Sequence, residues 1–479
     1  MNILTVTSEM VPYAKTGGLA DVLGALPRSL ADAGHDVRVF VPFYQSIPPD
    51  SGRFVTAIES MDVVLGDHTY EVRILRDDNN PIAYFVHCPQ LYARKGLYTH
   101  DGDEHRRFLA LCWAALKASQ IMRFAPDVVH CNDWQSSMLP LILRTRFGWD
   151  RLFANAYTLL TIHNLNYQGG FSAAILPDLN LRGSEHLLHQ DFLRGGRINF
   201  LLHGVMYADG VSTVSPTYAQ EIQTSAHGAG LDGFLRARST TVVGILNGVD
   251  YDAWSPECDD LIPFAYSIDD LSGKERNKQV LLEKLGLPYV EGVPVAGVVS
   301  RLASQKGLDL IPDALVPLLN TRGLQLVVLG SGSRRLEEMF AQLQWHYPKQ
   351  VVFYRGYSNP LAHLIEAGAD MFLMPSRYEP CGLNQLYSMR YGTVPVVHRT
   401  GGLADTVRPW NPRTQEGTGF VFEHHDAMGL RWAVASAMET FEDQGAWRRL
   451  MAQGMRQDYS WNRQTRIYET LFSRLISQR

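Results

Sequence analysis

The amino-acid sequence predicts an α/β protein with two Rossmann-like sheets, on three observations. Short, β-branched apolar runs recur from end to end of the 479 residues. Helix-compatible stretches separate them. A polar interval near the middle divides the runs into two series. The runs are apolar on both faces, as strands covered by helices on each side must be. Strands alternating with helices imply parallel sheets. At about 150 residues per domain, the length accommodates two or three domains.

Taken in order, the first series is ILTV (3–6), VRVFVP (37–42), IAYFVH (82–87), DVVH (127–130), TLLTIH (158–163), GVSTVS (210–215) and VVGILN (242–247). Helical patterns occupy 19–34 and 103–122. The series ends at Asn247-Gly248-Val249-Asp250, where turn-forming residues mark the domain boundary, and a polar, irregular segment (251–293) follows. The second series is VAGVVS (295–300), QLVVLG (325–330), VVFYRG (351–356), MFLMP (371–375) and VPVVH (394–398). The stretch 461–479 reads as a helix beyond the last strand. Thr-Gly-Gly-Leu-Ala-Asp occurs at 16–21 and again at 400–405. Two copies exclude a solenoid and read as the same turn chemistry at equivalent places in two similar domains.

Composition excludes several function classes. With 46% hydrophobic and 19% charged residues, wholesale disorder is ruled out. A net charge of −5 removes any general case for nucleic-acid or anionic-membrane binding. The five cysteines are scattered and form no Cys-x-x-Cys pair, which argues against a disulfide framework or zinc cluster and for a reducing compartment. No apolar run approaches the roughly 18–20 residues that span a bilayer. The N-terminus lacks a basic leader region and carries Glu9 where a signal peptide is still apolar. A cytoplasmic protein is expected.

In open α/β sheets, ligands bind beyond the carboxyl ends of the strands. The first series delivers Glu9, Lys15, Gly17 and Gly18, Asp133, and His163-Asn164 to those ends. The second delivers Arg301, Lys306, Gly330-Ser331-Gly332, Tyr357, Arg377, Glu379 and Thr400-Gly401-Gly402. Cations, glycines and one carboxylate make a kit for a phosphorylated ligand. Glycines before a helix expose N–H groups at its positive end, though a tight turn without ligand uses the same glycines. Arg grips phosphate oxygens with its fork and Lys adds a point charge; a solvated loop also accommodates both. Glu379 suits sugar hydroxyls or a developing cation, and a surface turn suits it as well. A lone His163 is commonly a hydrogen-bonded structural residue, and Asp133 with Trp134 reads as a loop cap and its packing partner. Cys381 has no adjacent base and reads as a small buried side chain. Asp101-Gly102-Asp103 matches a D-x-D metal motif, but it precedes a helix and reads as loop and cap. No cluster has metal-ligand spacing, and no complete G-x-G-x-x-G is present.

Together, SEMVPYAKTGGLADV (8–22), DVVHCNDWQ (127–135), TIHNLNYQG (161–169), VSPTYAQEI (214–222), ILNGVD (245–250), VVSRLASQKGLDL (298–310), PSRYEPCGLNQLY (375–387) and RTGGLADTV (399–407) resemble the bacterial glycogen synthase and plant starch synthase family. The resemblance implies a GT-B type fold, two Rossmann-like domains facing each other across a deep cleft. The implied divisions are an acceptor-side domain (1–247), a nucleotide-sugar domain (248–457), and a C-terminal helix (458–479) packing back on the first. It also implies retaining transfer of glucose from ADP-glucose to the non-reducing end of an α-1,4-glucan, glycogen or a malto-oligosaccharide, releasing ADP without metal or cofactor. If the source is plant-like, the compartment becomes the plastid stroma, although the chain has no transit peptide.

Carried over by motif, Lys15, His163, Arg301, Lys306 and Glu379 are catalytic. Donor-binding residues are Gly17, Gly18, Asn247, Gly332, Tyr357, Cys381, Gly382, Leu383, Thr400, Gly401 and Gly402, with Tyr354 a rival to Tyr357 for stacking on adenine. Glu9, Tyr92 and Asp133 fall on the acceptor side. Related retaining transferases often carry a second glutamate where this chain has Tyr387, as the glycogen and starch synthase pattern does; Asn384 resembles the starch-synthase form. Hinge closure near 247–250 is expected. The alternatives are a retaining transferase using UDP-glucose or a small acceptor, a glucan phosphorylase, and a non-catalytic glucan-binding protein.

Overall fold

The computed structural model describes residues 1–48 and 52–477. Two compact units emerge. One comprises Met1–Val214, Ala219–Gly248 and Trp461–Arg479; the other comprises Ser215–Tyr218 and Val249–Ser460. The division falls after Gly248 because Val249 N–H donates to the Tyr459 carbonyl (2.8 Å). The short Ser215–Tyr218 piece joins the second unit through Ser215 Oγ on the Pro380 carbonyl (2.6 Å) and Thr217 on the Asp405 carboxylate (2.7 and 2.8 Å).

The first unit contains β1 (Asn2–Val6), β2 (Asp36–Pro42), β3 (Phe54–Leu65), β4 (His68–Asp77), β5 (Asn80–His87), β6 (Val128–Asn132), β7 (Tyr157–Ile162), β8 (Gly170–Ser172), β9 (Arg197–Asn199), β10 (Gly210–Thr213) and β11 (Val242–Gly244). Nine of these form one sheet in the order β11-β10-β7-β6-β1-β2-β5-β4-β3, with β8 and β9 paired apart. Counted along the chain, its first six parallel strands run 3-2-1-4-5-6, the Rossmann order. β3 and β4 form an antiparallel hairpin that the sequence reading passed over. Their alternating burial and the two-residue Gly66-Asp67 turn were the available signal.

The C-terminal helix Trp461–Ile476 belongs to this first unit. It buries Trp461, Gln464, Thr465, Tyr468, Leu471, Phe472 and Leu475, a helical stripe. It packs on the helix Gly18–Asp32. Thr465 Oγ1 bonds Ser29 Oγ (2.9 Å), and His35 pairs with Glu469 (2.9 Å).

The second unit contains β12 (Val295–Val299), β13 (Gln325–Gly330), β14 (Val351–Arg355), β15 (Met371–Met374), β16 (Val394–His398) and β17 (Phe420–Phe422). All are parallel, in the order β14-β13-β12-β15-β16-β17, again 3-2-1-4-5-6. Apart from the edge strand β14, the strands are buried on both faces, as their sequences require. Ala296, Val298, Leu326 and Val328 belong to one core, while Val295, Val327 and Leu329 belong to the other.

Two expectations are corrected. The segment 251–293 is not irregular throughout, since Ser272–Lys284 is a helix. The repeated Thr-Gly-Gly stretch does not occupy equivalent places either. The first copy follows β1 after a long loop, and the second follows β16, fifth in its sheet. The two turns share local chemistry, not position.

Candidate active-site residues

In each sheet, the topological switch lies between the first and fourth parallel strands. Connections there leave on opposite sides and open a crevice. In the second unit, these are β12 and β15. The loop after β12 carries Arg301 and Lys306, and the loop after β15 carries Arg377 and Glu379.

The two loops are stitched together. Arg377 N–H donates to the Gln305 carbonyl (2.8 Å), and Gln305 Nε2 donates to the Tyr378 carbonyl (3.3 Å). Gly307 lies so close that a Cβ would stand 1.9 Å from the Pro375 carbonyl oxygen, with φ at +61°. The result is one cation–carboxylate pair, Lys306 Nζ to Glu379 Oε2 at 2.6 Å, with Ser376 Oγ donating to the same oxygen (2.9 Å). Glu379 is buried, Lys306 half-buried, and Arg301 exposed. Arg377, which looked available in sequence, forks onto Asp309 (2.8 and 2.9 Å) and serves as a brace.

The glycines of the second unit act mainly by close approach. A Cβ on Gly401 would meet the Glu379 carbonyl oxygen at 2.0 Å, and φ is +44°. Gly402 N–H already donates to that carbonyl (3.1 Å) and so is not free for a ligand, contrary to expectation. Gly332 is likewise pressed on Leu302, and its N–H donates to Glu337 (3.0 Å). Cys381 and Thr400 are buried, while Gly382 and Leu383 are half-buried. Tyr357 (68% exposed) and Tyr354 (44%) both lie at the end of β14. Gly401→Ala is expected to destabilise the protein by about 1–3 kcal/mol through overpacking and to lower activity by displacing Glu379. Urea midpoints and turnover check both.

In the first unit, the switch lies between β1 and β6. Glu9 was expected to touch an acceptor. Instead its carboxylate accepts Thr16 N–H (2.5 Å), Thr16 Oγ1–H (2.6 Å), Gly17 N–H (3.2 Å) and Tyr98 O–H (2.6 Å). It is a buried strut for the glycine turn, and it consumes the Gly17 amide that the sequence offered to a phosphate. Tyr92 is also corrected. It is fully buried, and its hydroxyl donates to the Arg107 carbonyl (2.7 Å), so it is a core residue. Lys15 is exposed and pairs with Asp21 (2.6 Å); such pairs are weak and readily exchanged. Gly18 starts the helix and is exposed, and Asn247 is buried just beyond β11.

Asp133 follows β6 at φ +53°, a left-handed conformation Asp tolerates. That turn aims its Oδ1 at the N–H groups of His163 (2.7 Å) and Asn164 (3.3 Å) beyond β7. Burial raises its carboxyl to about 7, against the lowering effect of those two bonds. Burial drives His163 the other way, to about 3, so its ring is neutral. The signs oppose. Stability from Asp133 is lost as pH rises through about 7, whereas stability from His163 is lost as pH falls below about 6.5. Asp133→Asn is therefore expected to lose less stability than the native chain as pH rises from about 4 to about 7, the His163 contribution being common to both chains. Denaturant titrations across that window test it.

Asp101 and Asp103 both bind Arg94 (2.9 Å and 2.5–2.7 Å), and Asp103 makes no side-chain cap. Among the described residues, no three His, Cys, Asp or Glu side chains gather as metal ligands, and no helix is long and apolar enough to cross a membrane. The sequence reading missed Asn132, Tyr98, Ser376 and Asp309. Ser376 and Asp309 stood inside quoted motifs, but Tyr98 carried no local signal.

Known proteins match this arrangement along its whole length. The starch synthase catalytic domain profile matches residues 2–237, and the glycosyl transferases group 1 profile matches 286–449. A glycogen synthase of Koribacter versatilis is 45% identical over 99% of this chain and 98% of its own. That of Geobacillus stearothermophilus is 40% identical over 100% and 98%. The catalytic domain of starch synthase IV from Arabidopsis thaliana, bound to ADP and acarbose, superposes with a TM-score of 0.92. It is 33% identical, covering 100% of this chain and 99% of that one. A sucrose-phosphate synthase from Thermosynechococcus elongatus shares the fold (TM-score 0.62, 18% identity). Fold and strand-end chemistry thus define a glycosyltransferase of the GT-B type. The chain belongs to the glycogen synthase and starch synthase family.

Proposed function

We propose that the protein transfers glucose from ADP-glucose to the non-reducing end of an α-1,4-glucan, with retention of anomeric configuration and without a metal or cofactor. The Lys306–Glu379 pair at the switch of the second sheet carries this reading. The ADP and acarbose bound to the related starch synthase support a nucleotide-diphosphate donor and a glucan-like acceptor.

Breaking the anomeric carbon–diphosphate bond puts negative charge on the leaving group and positive charge on the sugar. Arg301 and Lys306 neutralise the first, as preorganised donors do best in a partly dry site. Glu379, held by Lys306 and Ser376, offers negative charge to the second. A carboxylate so anchored is a poor covalent nucleophile. Front-face attack follows, with the departing phosphate taking the proton of the acceptor hydroxyl. A trapped glucosyl–enzyme ester would refute that route.

The deciding experiment incubates purified protein with glycogen and labelled ADP-glucose or UDP-glucose. ADP release with α-linked incorporation supports the proposal. Preference for UDP-glucose refutes the donor assignment, and no incorporation from either refutes glucan synthesis.

A further inference from the structure

Asn132, the last residue of β6, is fully buried beside His163. Its amide nitrogen faces two backbone carbonyls, those of Val6 and His130, each at 3.4 Å. Its oxygen Oδ1 lies 3.0 Å from His163 Nε2. The reversed amide would set its oxygen against two carbonyl oxygens, so the surroundings fix the orientation. An acceptor therefore confronts Nε2, and Nε2 must carry the proton. Because the buried ring is neutral, the lone pair resides on Nδ1, which makes no protein hydrogen bond among the described residues. Asp133 holds the same residue by its backbone N–H. Ring and backbone are thus both pinned, from consecutive positions at the end of β6.

We infer that Asn132 is a positioning residue that locks His163 in the Nε2–H tautomer, so that Nδ1 accepts a hydrogen bond from a hydroxyl of the transferred sugar. A neutral acceptor orients that hydroxyl without placing a positive charge beside a sugar that itself becomes positive in the transition state. The identity of the sugar rests on the glucosyl-transfer reading above; the tautomer does not.

The test uses the full chain labelled with 15N-histidine and long-range 1H–15N correlation, with the His163 signals assigned by their loss in His163→Gln. The unliganded protein is expected to show a protonated Nε2 and an unprotonated Nδ1 at neutral pH. Saturating ADP-glucose without glucan should shift Nδ1 as an acceptor shifts, whereas ADP alone should not. In Asn132→Leu the proton should redistribute to Nδ1, and kcat/KM for glucosyl transfer should fall about tenfold or more, as for one lost buried hydrogen bond. A proton on Nδ1 in the native protein overturns the inference. So does an Nδ1 signal blind to bound ADP-glucose, or a leucine variant with native tautomer and native kcat/KM. Should Asn132→Leu fail to fold, the native spectrum and its response to ADP-glucose decide alone. Failure to bind ADP-glucose overturns the donor assignment, while the tautomer is read from the unliganded protein.

Discussion

Replacing Lys306 with alanine is expected to lower turnover by roughly 10²–10³, the loss typical of removing one preorganised transition-state donor. The amine sits 2.6 Å from Glu379, on the loop that the first strand of the second sheet projects at the switch point. When the diphosphate leaves, charge grows where this ammonium can meet it. Arginine is not expected to rescue the variant, because its fork is longer and planar and cannot replace a compact charge already shared with a carboxylate. Removing the amine also leaves Glu379, among the described residues, with Ser376 as its remaining side-chain donor. Urea midpoints must therefore accompany the kinetics, so that lost folding is not read as lost chemistry. Turnover near that of the native chain would remove Lys306 from the mechanism.

Arg107→Leu is expected to cost about 3–5 kcal/mol of stability, the usual penalty for breaking a buried ion pair from one side. Arg107 has no exposed surface. Its guanidinium binds Glu104 (2.7 Å) and the Leu91 carbonyl (2.9 Å), among the rings of Tyr44, Tyr92 and Phe108. Without it, among the described residues, Glu104 remains buried with only the Thr99 N–H and hydroxyl as donors. The neighbouring Tyr98 props Glu9 and thereby the glycine turn, so activity should fall along with stability. Adding Glu104→Gln should restore part of the loss by removing the stranded charge. Equal midpoints for native and Arg107→Leu chains would show that the pair contributes nothing.

The parts of the fold that the sequence disclosed are those where local chemistry and burial agree. Continuous apolar runs such as QLVVLG became strands because a sheet covered on both faces favours apolar side chains at successive positions. The helix Ser272–Lys284 stayed hidden for the opposite reason. Its buried stripe includes Lys274, Asn277 and Lys278 beside Leu281 and Leu282, and a hydrophobic period cannot register buried lysines. They are tolerable inside because Lys274 reaches Thr393 (2.7 Å) and Lys278 reaches Asp370 (2.8 Å). Neither partner is predictable from the helix itself.

The candidate site divides the same way. That Arg301, Lys306, Glu379 and His163 follow strands was plain, since strand ends are local features. Which of them meet was not. Arg377 and Lys306 looked alike in sequence, yet one is spent on Asp309 and the other faces Glu379. Glu9 and Tyr92 looked available and proved to be internal props.

By itself, then, the sequence determined the α/β class, the two series of strands and the residue types delivered to their ends, because these depend on side-chain character and short-range periodicity. Tertiary structure alone decided the pairing of Lys306 with Glu379, the capture of the glycine-turn amides by Glu9 and the approach of Asn132 to His163. The first and last join the ends of strands that are neighbours only through sheet order, which long-range packing sets and no local pattern encodes, while the Glu9 contact depends on how the single loop after β1 folds back on itself.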